Sequence, residues 1–267
     1  MSKSIAFIDF EIGYDSKEIL DIGCVKSDGA AFHSSSIGAF IDFISDADFL
    51  CGHNIINFDL KILREKYGIR IDKPVIDTLY LSPLLFPKRL NHSLAKDEIA
   101  IVGGKNNPVN DSIKAKNLFF DEVNEFQKIP FFLIQIFHSL LCYTNEFSGF
   151  FAYFDLKYLN LNILDLIREN FSGKICLNAD INHLIYSYPV ELAYVLSIIW
   201  TDDTYINIPF WLLKTYPDIE NIFKRLRNTP CSLKCEYRKN TCSESRASQG
   251  QASVNRHTCN MASIPGL

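Results

Sequence analysis

The sequence has no excess of basic charge: 27 Lys and Arg stand against 31 Asp and Glu, a net charge of −4. That excludes a protein that coats nucleic acid through bulk positive charge. It leaves open a site in which metal ions supply positive charge locally. Long apolar runs are also lacking. The most apolar stretch, residues 129–143, is interrupted by Gln135 and His138 and falls short of the about 20 residues of a membrane span, so a buried helix is expected. The residues before Asp9 contain no apolar core of a secretory signal. A cytoplasmic, reducing setting without structural disulfides is therefore the expectation. No internal repeat occurs. Gly103-Gly104-Lys105 lacks the remaining spacing of a phosphate loop and its following Ser or Thr, so a turn is expected there.

What is present is enough apolar material for a sizeable core, 48 % of 267 residues, in one large domain or two modest ones. Cys24, Cys51, Cys142 and Cys176 lie in apolar stretches and read as core thiols. Residues 5–11 are apolar on both faces and predict a central strand. Residues 19–25 predict its partner, and residues 29–32 and 49–51 two shorter strands. Residues 57–67 carry Phe58, Ile62 and Leu63 at helical spacing, with Gly68 as the stop. Residues 75–81 predict a strand or a strand running into a helix. Residues 111–127 carry Ala115, Leu118, Phe119, Val123 and Phe126 at three- and four-residue spacing, the pattern of an amphipathic helix. From residue 130 onward four further segments read as helical, with Pro189 where a first-turn proline belongs. Aromatic side chains are dense there, which points to core packing. Beyond Tyr237 the chain is polar and aperiodic and is expected to be disordered or foreign to the natural protein. The expected division is residues 1–128, 129–237 and 238–267.

Asp9 and Glu11 are two residues apart on the first strand, so both carboxylates share one face. Two acids on an otherwise apolar strand are costly unless compensated, and a divalent cation is the usual compensation. An isolated pair of this kind is more often a strand end that reaches water. Downstream, Gly52-His53-Asn54-Ile55-Ile56-Asn57-Phe58-Asp59 leads into the 57–67 helix, with Asp59 near its N-terminus. Asn107-Pro108-Val109-Asn110-Asp111 opens the 111–127 helix. Each aspartate also has a plainer role, as a cap or a favourable charge on the helix dipole.

The ordered set of motifs, a strand with Asp9-Phe10-Glu11, a second strand, GHNIINFDLKIL, DTLYL and a helix opening DSIKAKNLF, resembles the DEDD exonuclease superfamily, which includes proofreading and RNase-T-like 3′–5′ exonucleases. The resemblance covers about residues 5–127. It implies an RNase-H-like α/β fold, a mixed sheet with flanking helices, followed here by a mostly helical region. It implies that Asp9, Glu11, Asp59 and Asp111 hold two Mg²⁺ or Mn²⁺ ions, that His53, Asn54 and Phe58 contact substrate, and that Asp9 and Glu11 belong to the catalytic centre. The implied activity is hydrolysis of nucleic acid to nucleoside monophosphates, with single-stranded DNA the first expectation and RNA left open because no motif reads the sugar 2′-position, and with no membrane partner. The sequence departs from the family at the general base. The positions five and four before Asp111 hold Asn106 and Asn107, neither of which accepts a proton from water. His92 is the candidate for that catalytic role, and a domain that binds nucleic acid without cutting it is the alternative. The segment around Cys231 and Cys235 loosely resembles the front end of long bacterial RecQ-type helicases that carry an exonuclease domain, which implies a helicase partner in a longer chain. Cys231 and Cys235 alone make half a zinc ligand set, so zinc is the weaker expectation.

Overall fold

The computed structural model describes residues 3–94, 107–156, 161–176, 179–201 and 208–228. The sequence readings at Gly103-Gly104-Lys105, Asn106, Cys231, Cys235 and the tail fall outside these residues. The described residues form an α/β protein: a five-stranded mixed sheet flanked by helices, followed by a helical C-terminal region.

The sheet order is β3-β2-β1-β4-β5. β1 (Ile5–Ile12) is central. It pairs antiparallel with β2 (Ile19–Lys26), which pairs antiparallel with β3 (Ala31–Ser34). On its other side β1 runs parallel to β4 (Phe49–Gly52), which runs parallel to β5 (Val75–Asp77). Strand alternation sorts the side chains of β1. Ile8 and Phe10 face a core that includes Ile22, Leu50 and Leu63 and α1 (Ile37–Phe43), where Phe10 meets Phe40 edge-on. Phe7, Asp9 and Glu11 face the other way. There Phe7 packs on Phe119 and Phe120 of α4 (Pro108–Phe126). The carboxylates thus continue a row that begins in a packed interface and ends, half-buried, at the C-terminal end of the central strand.

α2 (Asp59–Tyr67) follows β4 and ends at Gly68, whose φ of 67° takes the left-handed turn that glycine adopts without steric cost. α3 (Thr78–Leu85) follows β5 directly. α4 starts three residues before the expected position 111, because Asn107 caps it by accepting from the Val109 N–H and Pro108 occupies its first turn.

The chain divides into two compact units. The first holds the described residues of 1–85, 92–129 and 142–157. The expected division grouped residues 129–237 together, whereas residues 142–157 cluster with the sheet. The stretch after α5 (Phe131–Leu141) returns to the sheet through α6 (Ser148–Tyr153), whose Gly149 lies against the Val75 carbonyl so closely that a side chain there would overlap it. Phe150, Phe151 and Phe154 close on Phe126 of α4. The second unit holds residues 86–91, α5 and the described residues from 161 onward. It contains α7 (Ile163–Asn170), α8 (Ile181–Ser187), α9 (Pro189–Trp200), α10 (Phe210–Thr215) and α11 (Ile219–Asn228). Almost the whole of α9 is buried, from Val190 to Ile199. Among the described residues no helix is long and apolar enough to cross a membrane.

Candidate metal centre

Three of the four expected carboxylates converge. One oxygen each from Asp9, Glu11 and Asp111 lie within 4.8 Å of one another, and all three residues are half-buried. Two come from the end of β1. The third comes from the first turn of α4, a hundred residues later in the chain. What brings them together is Gly23. It stands opposite Asp9 on β2, and a Cβ at that position would overlap the Pro108 carbonyl carbon and the Val109 nitrogen. The start of α4 therefore sits directly on the bare backbone of β2. Ser112 fixes the contact by donating from Oγ to the Gly23 carbonyl at 2.9 Å.

The electrostatics are those of a negative centre short of cations. Burial, then the neighbouring carboxylates Asp111 and Glu11, push Asp9 up to about 7, while Lys114 opposes the shift. Lys114, one helical turn from Asp111, places Nζ 2.8 Å from Asp111 Oδ1. Hard oxygen donors in this arrangement could hold Mg²⁺ or Mn²⁺.

Asp59 stands beside this trio but is otherwise engaged. It is 2 % exposed and its Oδ1 accepts from the Phe10 N–H, between Asp9 and Glu11, at 2.8 Å. Burial, then the charge of Asp9, raises it well above the usual carboxylate range. In the metal-free protein it fixes the strand on which two of the other carboxylates ride.

His53 and Asn54 lie in the loop that leaves β4. Asn54 has φ 64°, a left-handed conformation that asparagine accepts more readily than most residues. The loop is gripped by Asp77, a residue not expected at the site. Its buried carboxylate accepts from the backbone N–H groups of Asn54 at 2.8 Å, Ile56 at 3.2 Å and Leu79 at 3.0 Å. Phe58, just before α2, leaves its ring 43 % exposed. His53 Nδ1 lies 3.0 Å from Thr78 Oγ1. Burial, then the neighbouring His92, lowers its pKa to about 4, against the opposing charge of Asp111. His92 is buried at 4 % exposure, with Nδ1 2.8 Å from Ser82 Oγ.

Asp77, Thr78 and Gly23 carry no local sequence signal, because their partners are backbone groups and a hydroxyl contributed by other elements. Lys114 had one, since three residues after Asp111 on a helix is a contact distance.

No protein family matches the chain, and no curated protein sequence matches it.

Proposed function

We propose that the sheet unit is a metal-dependent 3′–5′ exonuclease that hydrolyses phosphodiester bonds of nucleic acid, single-stranded DNA foremost, to nucleoside monophosphates. The observation that carries this reading is the convergence of Asp9, Glu11 and Asp111 from two distant segments at the C-terminal end of the central strand. The strand order and the position of α4 over β1 and β2 are compatible with an RNase-H-like layout. Asp9, Glu11 and Asp111 would hold the ion, and Asp59 is the fourth carboxylate for a second one. When bound, Mg²⁺ or Mn²⁺ supplies charge stabilisation to the attacked phosphate and its leaving oxygen.

The protein's own residues do the rest. Asp59 holds the Phe10 N–H and with it the spacing of Asp9 and Glu11. Asp77 holds the loop that presents His53 and Asn54. The exposed ring of Phe58 offers a stacking face to a terminal base. The test is a 5′-labelled single-stranded oligonucleotide incubated with Mn²⁺. A ladder shortened from the 3′ end, absent with Asp9→Ala/Glu11→Ala, is expected. No ladder, or one that persists in the double variant, contradicts the reading.

A second reading is favoured by Lys114. Its Nζ sits on Asp111 as a resident cation would, which suits a module that docks nucleic acid or a helicase without cutting. Oligonucleotide binding that needs no metal and gives no product would favour it.

A further inference from the structure

We infer that His53 is the catalytic residue that takes the proton from the attacking water, and that Thr78 is the positioning residue that sets its tautomer. The inference rests on the exonuclease reading and supplies the group missing from it. His53 lies two residues beyond Cys51, as Asp9 lies two beyond Phe7, and Phe7↔Cys51 is the last pair of the parallel β1–β4 ladder. The parallel ladder brings both residues to the C-terminal ends of these two neighbouring strands, and the charge of Asp111 acts on His53.

The hydrogen-bond network fixes the ring. Thr78 Oγ1 donates to the Gly52 carbonyl at 3.2 Å. Its proton is thereby committed, so the 3.0 Å contact with His53 is made by Nδ1–H donating to Thr78 Oγ1. Nε2 is left with the lone pair. Burial and the neighbouring His92 lower its proton affinity, so the ring is neutral at pH 7, with His92 and Asp111 as the titratable groups that act on it. His53 is half-buried, whereas His92 is nearly enclosed, so of the two rings His53 is the one more accessible to water. Ser82 stands one turn after Thr78 on α3, so a hydroxyl of the same helix contacts Nδ1 of each histidine.

In the step, a water proton passes to His53 Nε2 as the water oxygen forms the new bond to phosphorus. The bond from phosphorus to the 3′-oxygen breaks, its electron pair stays on that oxygen, and the oxygen takes a proton from solvent. The imidazolium then returns its proton to solvent.

The test combines kinetics with a readout in metal-free protein. His53→Gln is expected to lower kcat by about 10²–10⁴-fold, with KM and Mn²⁺ affinity changed by less than about threefold and the thermal midpoint preserved. His53→Gly is expected to regain activity with added imidazole. Thr78→Val should lower kcat about tenfold, on the scale of a lost orienting contact. In ¹⁵N-histidine spectra at pH 7 the wild-type His53 should be unprotonated at Nε2, and Thr78→Val should mix the tautomers. A wild-type Nε2–H tautomer overturns the inference. So does wild-type cleavage accompanied by equal cleavage from His53→Gln, which leaves the exonuclease reading standing. A wild type that cleaves nothing overturns both.

Discussion

Asp9 is held above its ordinary carboxylate range by burial and by its acidic neighbours, and its titration has a measurable sign. Its ordinary value is 3.8 and its folded value about 7. Protonated Asp9 therefore stabilises the folded, metal-free protein below about pH 4, and that contribution is lost as the pH rises to 7. Scanning fluorimetry in EDTA should show the midpoint falling across that window. The stabilisation given by Mn²⁺ should grow across it, because the ion displaces the proton. Asp9→Asn should weaken both trends. Asp77 makes a different prediction. Asp77→Ala strands two backbone N–H groups in the loop before α2 and one in the first turn of α3, and should cost about 3 kcal/mol of stability in urea unfolding. A loss under about 1 kcal/mol would show that water replaces the carboxylate. The two acids also differ in how legible they were. Asp9 and Glu11 are marked by strand periodicity, since two apart means one face. Asp77 accepts from loop backbone, and no residue pattern marks a backbone donor.

Among elements, the placement of α4 decides whether the carboxylates form a centre at all. Its amphipathic stripe was legible, as was the strand-to-helix order of the first unit. The contact of its N-terminus with β2 was not, because a bare glycine in a strand signals close approach without saying of what. Gly23→Ala tests that contact without touching a ligand. The added methyl would force Pro108 and Val109 away from the strand and move Asp111 from Asp9 and Glu11. We expect a loss of about 1–3 kcal/mol in stability and at least a tenfold loss of Mn²⁺ affinity by isothermal titration. Unchanged affinity would show that Asp111 is placed independently of the strand contact. The short helices α6, α8 and α10 escaped the sequence reading. Each is only six or seven residues long, too short for a periodic stripe, and their stability comes from packing.

For the whole molecule, the sheet unit is not a simple N-terminal piece. α6 and the aromatic rings that follow it close on β5 and α4, so a chain ending at residue 129 should melt well below one ending at residue 157. Equal midpoints would mean that α6 contributes little. Helical character after residue 130 was legible from composition and proline placement. The return of one segment to the sheet was not, because apolar helices carry no record of which core they enter. The account rests most heavily on Asp9, Glu11 and Asp111 acting together as a divalent-ion centre. The direct measurement is anomalous diffraction at the manganese edge from crystals of the full chain soaked in Mn²⁺. The account predicts an anomalous peak coordinated by oxygens of Asp9, Glu11 and Asp111, lost in Asp111→Asn. No peak there at saturating Mn²⁺, or a peak that ignores these three carboxylates, would contradict it.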